Sequence, residues 1–247
     1  LSNRIVDNEY EDWIDYCTKL KNNSNIIAEH IEKDKVFTYY DVLPCLEKYL
    51  NEDTILVHGS SGTCSEVTCQ ALKLHKKTRV TGTHGLGSMG FGLPAAIGAW
   101  YATGKKIICV EGDGSLAMNI QELALLDSFQ SRDMDIHLII LNNGGYASIR
   151  NTQNKLLNGN LFGSDVDSGL FLPLYADIAR AFDIGHSYIC SSVDAVGEFG
   201  CYINVKGPHI YEIMLDKEAT TSYPRTQSKL VDGKMMTLPM DQLWPEK

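Results

Sequence analysis

Short runs of aliphatic and β-branched residues recur at residues 54–58, 78–81, 106–110, 135–141 and 209–214, and the stretches between them are long and apolar at helical spacing. Runs such as Ile107-Ile108-Cys109-Val110 and Leu138-Ile139-Ile140-Leu141 have no polar face, which suits strands buried on both sides. Parallel strands cannot be joined by a tight turn, so helices near 39–50, near 64–74, near 119–129, from about 145 and near 174–183 become the crossovers. The pattern predicts an α/β fold, a three-layer α/β/α arrangement with a mostly parallel central sheet. With 247 residues, 44% of them hydrophobic, the chain is large enough to bury such a core.

Three regions are expected. Residues 1–36 form a polar N-terminal helix and linker, with Tyr10, Trp13, Ile14, Cys17 and Leu20 at helical spacing and the linker at residues 21–24, the helix lying on a larger body. Residues 37–216 carry the alternating pattern. Residues 217–247, with Pro224, Pro239 and Pro245, read as an extended C-terminal arm. Residues 154–168 are too long and turn-rich for a routine connection, and are either mobile filler or a lid.

The balance of 22 basic against 31 acidic residues, a formal net charge of −9, leaves no basic footprint for nucleic acid or an anionic membrane. No stretch is long and apolar enough to span a bilayer, and Leu1-Ser2-Asn3-Arg4 lacks the apolar core of a signal peptide. The 7 cysteines are scattered, mostly in apolar runs, and read as buried free thiols in a reducing, cytoplasmic setting. Cys64 and Cys69 have no zinc-type spacing. Without an initiator Met, the chain is expected to be part of a longer polypeptide.

Chemistry is expected at the carboxyl ends of the strands, where helix N-termini face anions. Glu111-Gly112-Asp113-Gly114-Ser115 follows one strand and Asn142-Asn143-Gly144-Gly145-Tyr146 the next. If those strands are adjacent, Asp113 and Asn143 converge into an oxygen-rich site suited to Mg²⁺ or Ca²⁺. Taken singly, each motif also fits a turn with Asp113 as a helix cap.

Taken together, Gly112-Asp113-Gly114 and, 27 residues on, Asn142-Asn143 resemble the cofactor signature of thiamine diphosphate (ThDP) enzymes. Gly85-Leu86-Gly87-Ser88-Met89-Gly90-Phe91-Gly92 and the small residues up to Ala99 look like the segment of acetolactate-synthase-like enzymes that meets the aminopyrimidine ring. The resemblance covers nearly the whole chain and corresponds to the diphosphate-binding (PP) domain. It implies that Asp113 and Asn143 bind Mg²⁺ through side chains and Gly145 through its carbonyl. Gly114 and Ser115 would offer N–H groups to the diphosphate, and Gly112, Ser88 and Tyr146 would also lie at the cofactor. The Gly87 carbonyl and Met89 N–H would hold the aminopyrimidine, while the Met89 side chain keeps the cofactor bent, making Gly87 and Met89 the catalytic positions.

The same resemblance implies a 2-oxo acid substrate, pyruvate first, and a decarboxylating carboligase activity. It also requires a glutamate from a pyrimidine-binding (PYR) domain, for which this chain has no counterpart; Glu66 and Glu122 sit on helices of the PP fold. The active unit would need a PYR domain from the same polypeptide or another subunit, in a homodimer or homotetramer. Thr152 replaces the Trp, and Thr63-Cys64-Ser65-Glu66 the Gln-His-Gln-Met, of branched-chain acetolactate synthases, which argues against that branch, while Ser148-Ile149-Arg150-Asn151-Thr152-Gln153 and the ending Tyr223-Pro224-Arg225 … Asp232-Gly233 … Pro239 look more like relatives in sugar or polysaccharide pathways. A subunit of a two-chain sulfopyruvate- or phosphonopyruvate-type decarboxylase and a noncatalytic assembly module are the alternatives. Arg150 is either a solvated helix residue or an anion contact; His84 and His58 are either proton relays or structural.

Overall fold

The computed structural model describes residues 10–23, 37–60, 62–74, 77–83, 85–126, 133–217, 228–237 and 239. The chain divides into two compact units, Leu1–Lys35 and Val36–Lys247. The first contains helix α1 (Glu11–Asn23), which opens on Glu11 and Asp12, favourable charges at a helix N-terminus. Trp13 and Tyr16 stack on it with ring centroids 5.7 Å apart. Since α1 runs through Asn23, the linker expected from Lys21 is helix as far as it is described.

The second unit is built on six parallel strands: β1 (Thr54–His58), β2 (Arg79–Gly82), β3 (Lys106–Gly112), β4 (Ile136–Asn142), β5 (Gly185–Ile189) and β6 (His209–Met214), in the order β2-β1-β3-β4-β6-β5. The chain builds outward from β1 in one direction to β2, then crosses back to place β3 on the other side. The β1/β3 boundary is therefore the switch point, where connections leave in opposite directions and a crevice opens at the carboxyl ends.

The crossovers form the outer layers. Helix α2 (Tyr39–Leu46) starts with a capping box in which the Thr38 N–H and hydroxyl both donate to Asp41 Oδ2 at 2.8 Å. After β1 comes a π-helical turn (Gly62–Val67) and the short α3 (Thr68–Ala71), in place of the longer helix expected near 64–74. Helix α4 (Gly92–Thr103) precedes β3, and α5 (Asp113–Leu116) begins immediately after it, continuing as a 3₁₀ helix (Ala117–Leu125) that breaks at Asn119. The helix expected near 119–129 thus starts at Asp113 itself. Then follow α6 (Ala147–Leu156), α7 (Tyr175–Ala181) and α8 (Ser192–Tyr202).

One sheet face buries Ile55, Val57, Ile107, Cys109, Leu138, Ile140 and Ile210 against Leu93, Ala96 and Ile97 of α4 and Leu116 and Leu123 beyond β3. The other presents Tyr211, whose ring meets Phe199 of α8 edge-on at 4.9 Å. The predicted three-layer α/β/α architecture with a parallel sheet is the observed one. Strand β5 and helix α8 went unread: Gly185-His186-Ser187-Tyr188-Ile189 is an edge strand with polar positions and a weak apolar signal. The expected extended C-terminal arm is, where described, an antiparallel hairpin of β7 (Ser228–Val231) and β8 (Lys234–Thr237). Its turn, Asp232-Gly233, holds φ of 50° and 74°, the left-handed pair that two-residue hairpins demand. Among the cysteines, Cys45, Cys64 and Cys109 are buried free thiols as expected, but Cys17, Cys69, Cys190 and Cys201 are exposed. Among the described residues no helix is long and apolar enough to cross a membrane.

At the amino end of β6, His209 accepts or donates a bond with Ser187 Oγ at 2.9 Å and stacks on Tyr202. Burial pushes its imidazole down to about 4, and the nearby His137 and His186 act in the same direction. The unfolded chain therefore takes up a proton near pH 6.5 that the folded chain refuses, so stability present above pH 6.5 is lost as the pH falls toward 4. Urea titrations between pH 7 and 4.5 are expected to show a smaller fall in stability for His209→Gln than for the parent chain; parallel curves would count against this origin.

Candidate functional site

Strand β3 delivers Asp113 to the carboxyl edge of the sheet, where it is 2% exposed. Its Oδ1 accepts the Gly114 N–H at 2.7 Å and its Oδ2 the Gly145 N–H at 2.8 Å, so one carboxylate joins the turns that follow β3 and β4. Tyr175 Oη donates to the Asp113 carbonyl at 2.5 Å. Burial pushes the carboxyl up to about 6, against the opposing pull of the Gly114 and Gly145 N–H groups and of Arg150. A carboxylate so desolvated favours a cation beside it.

The two asparagines at the end of β4 do different work. Asn142 Oδ1 accepts the Gly144 N–H at 3.1 Å, and its Nδ2 donates to the buried Glu212 Oε1 at 2.6 Å, a carboxylate whose other oxygen lies 2.9 Å from His186 Nε2. Asn143 Oδ1 is buried with no hydrogen-bond partner, and no other buried side-chain oxygen or nitrogen among the described residues is so left. An orphaned amide oxygen costs on the order of 1–3 kcal/mol, and a hard cation is a natural partner for it. Among the described residues no cluster of three His, Cys, Asp or Glu side chains could hold a metal, so an ion here would rely on one carboxylate, one amide and backbone oxygen. That donor set fits Mg²⁺.

Gly145 is forced by this turn: φ is 127°, and a Cβ would lie 2.5 Å from the Ser164 carbonyl oxygen. Its own carbonyl, the expected third ligand, accepts the Ala147 N–H at 3.1 Å. The Gly114 N–H, expected to face a diphosphate, is turned onto Asp113.

The glycine-rich segment forms the facing wall. Gly90 N–H donates to Ser115 Oγ at 2.9 Å, Asn119 Nδ2 donates to the Gly90 carbonyl at 2.9 Å, and Gly92 N–H donates to Glu111 Oε2 at 2.7 Å. Gly87 and Met89 line the resulting cleft with Gly112, Asp113, Gly114, Ser115, Asn143, Gly145 and Tyr146. Of the expected site positions only Ser88, which is exposed, lies outside that lining. Met89 is 43% exposed. Ser60, Gly62 and Thr63 after β1, and Ala147, Ser148 and Ile149 of α6, complete the walls. The cavity volume is about 170 Å³, below the roughly 300–1,000 Å³ typical of ligand pockets.

Arg150 is not a solvated residue, and its guanidinium is held by backbone. It is 6% exposed, and its guanidinium donates to the carbonyls of Asn143 (2.8 Å), Ser164 (3.2 Å) and Gly144 (3.3 Å). Residues 154–156 belong to α6, and the segment after it is tied down rather than loose filler. Gln153 exchanges bonds with the Phe162 N–H and carbonyl, Ser164 Oγ donates to Gln153 Oε1, and the Tyr146 N–H donates to Ser164. His58 is fully buried, with Nδ1 3.0 Å from the Gly59 carbonyl and Nε2 3.7 Å from Cys69 Sγ, a structural setting. His84 lies outside the described residues. Thr152 Oγ1 donates to the Ser148 carbonyl of its own helix at 3.0 Å, and neither Glu66 nor Glu122 lines the cleft. Sequence reasoning missed the roles of Glu111, Glu212 and Tyr175, whose bonds to Gly92, to Asn142 and His186, and to Asp113 reach residues distant in the chain.

Residues 60–210 match the family described as thiamine pyrophosphate enzyme, C-terminal TPP binding domain. The chain is 30% identical over 186 residues to the acetolactate synthase isozyme 1 large subunit of Escherichia coli (strain K12), covering 75% of this chain and 32% of that protein. It is 25% identical over 214 residues to the isozyme 2 large subunit of the same organism, covering 85% and 37%. With the acetolactate synthase large subunit of Cyanidium caldarium it shares 32% identity over 158 residues, covering 62% and 26%. The chain thus spans only 26% to 37% of these relatives.

The contrast between Asn143 and Arg150 is measurable without any ligand. In urea titrations with EDTA present, Asn143→Ala is expected to cost little, because no bond is lost, whereas Arg150→Met strands three carbonyls and costs on the order of 3 kcal/mol. Equal losses would mean that the Asn143 amide is paired in solution.

Proposed function

Because the chain belongs to the family of C-terminal TPP-binding domains of thiamine pyrophosphate enzymes, of acetolactate-synthase-like type, we propose that it is the diphosphate- and Mg²⁺-holding half of a ThDP-dependent, decarboxylating carboligase acting on a 2-oxo acid such as pyruvate. The observation that carries the metal is the partnerless Asn143 Oδ1 beside the buried Asp113 carboxylate. ThDP, when bound, supplies a nucleophilic carbon and an electron sink for decarboxylation of the oxo acid.

The chain's own residues hold and orient. Asp113 and Asn143, with the Gly145 carbonyl, would bind Mg²⁺, and the ion supplies the positive charge that an acidic chain lacks for a diphosphate. Gly114 lets the Tyr146 ring pack onto this turn, since a Cβ there would sit 2.4 Å from the ring. Met89 and Gly87, on the opposite wall, would support the aminopyrimidine and the bend that makes proton removal intramolecular. Asp113 must be ionised to ligate, so metal affinity is expected to weaken as the pH falls below about 6.

The cleft is completed by a PYR domain, from the rest of a longer polypeptide or a separate subunit, in a homodimer or homotetramer that works in the cytoplasm. Its small volume and open side support that reading. Thr152 and the Thr63-Cys64-Ser65-Glu66 run support an acceptor other than a second small oxo acid, with a keto-sugar the best fit.

Calorimetric titration of ThDP into the completed enzyme, with Mg²⁺ and with EDTA, tests the proposal. Saturation that needs the metal and disappears in Asp113→Ala is expected; metal-independent or unaltered affinity would overturn the assignment. Met89→Ala is expected to keep affinity within roughly threefold yet slow turnover at least about tenfold, as loss of positioning does.

A further inference from the structure

Glu111 is the buried carboxyl for which the proposed reaction has no use. It is 0% exposed and shares its sheet face with Ile107 and Cys109, both core residues, so strand alternation alone would favour an aliphatic side chain there. Three elements nevertheless shape themselves to the carboxyl group. Helix α4 has Phe91 at its N-cap, which offers no side-chain acceptor, and Glu111 Oε2 caps it from the neighbouring strand through the Gly92 N–H at 2.7 Å. After β1, a Cβ on Gly59 would lie 1.9 Å from Glu111 Oε1, and one on Gly92 2.3 Å from Oε2, so two glycines make room for it at the β1/β3 switch point. Beyond β3, Oε1 accepts the Gly112 N–H at 3.3 Å, and the nearby Ser115 hydroxyl opposes the upward push of burial on the carboxyl group. That hydroxyl in turn accepts the Gly90 N–H.

We propose that Glu111 is a positioning residue: holding the Gly92 N–H on one oxygen and the Gly112 N–H on the other, alongside the Gly90–Ser115 bond, it fastens residues 90–92 to the Gly112-Asp113-Gly114-Ser115 turn. It thereby sets the span between the wall carrying Met89 and the wall carrying the diphosphate turn. The consequence for catalysis rests on the ThDP reading above, because that span decides how sharply the cofactor is folded between the two walls. Burial raises the Glu111 carboxyl, yet every bond given for it is one an ionised carboxylate can accept.

Two readouts test this. Amide hydrogen exchange of the chain without ligand reads the fastening, and hydrogen–deuterium exchange at C2 of ThDP bound with Mg²⁺ to the holoenzyme reads the fold of the cofactor. In Glu111→Leu, the Gly90 and Gly92 amides are expected to exchange about tenfold faster while those of β4 are unchanged. C2 exchange is expected to slow about tenfold with ThDP affinity held within roughly threefold. Glu111→Gln, whose amide oxygen still caps Gly92, is expected to recover most of both. Should Glu111→Leu not fold, Gly59→Ala displaces the carboxyl group without altering it and is expected to give the same pair of changes. Unchanged Gly90 and Gly92 exchange overturns the fastening, and faster amide exchange with unaltered C2 exchange overturns its bearing on the cofactor. Affinity and C2 exchange falling together would mark Glu111 as merely structural. A holoenzyme that takes up no ThDP overturns the functional reading instead, and the ligand-free amide exchange still decides the fastening.

Discussion

One buried carboxylate organises the carboxyl edge of the sheet. Asp113 leaves β3 and immediately grips the N–H of Gly145, the turn after β4, while holding Gly114 in its own turn. Two loops that would otherwise be set only by their strands become one surface, and everything that faces the cleft is referred to it. The arrangement is expensive for the ligand-free chain, because the carboxylate is desolvated and its neighbour Asn143 has a buried oxygen with no partner. A cation held as proposed above would relieve both costs at once.

Around that carboxylate the supports are built from charge placed against backbone. Arg150 gathers the carbonyls of Asn143, Gly144 and Ser164, drawing the turn after β4 and the segment beyond α6 together. Glu212 holds Asn142 with His186 behind it. Glu111 caps α4 from the strand beside it. Arg150 and Glu111 bond backbone directly, and Glu212 acts through the Asn142 side chain, whose oxygen holds the Gly144 N–H. A site made of backbone depends on such side chains more than a site made of side chains does, since glycine turns have little stiffness of their own.

The strands at 54–58 and 209–214 were legible to the residue because Ile55-Leu56-Val57 is an unbroken aliphatic run and Ile210, Tyr211, Ile213 and Met214 keep a short apolar segment after the turn at Gly207-Pro208. Strand β5 was not, because an edge strand buries one side and His186 and Tyr188 fall on positions that periodicity scores as polar. The Asp232-Gly233 turn did carry a hairpin signal, masked by the prolines around it. Helix α5 was placed six residues late because Gly112-Asp113-Gly114 looks like a loop, whereas Asp113 is already helical.

By itself the sequence determined the α/β class and placed Asp113 and Asn143 just beyond the carboxyl ends of two strands, since these follow from local periodicity and from motifs that follow apolar runs. Only the tertiary structure decided which of Asn142 and Asn143 is spent on the fold, that Arg150 is buried rather than solvated, and that Glu111 reaches α4. Those outcomes depend on which strands are neighbours, and strand order is set by the packing of the whole sheet, which no window of sequence contains.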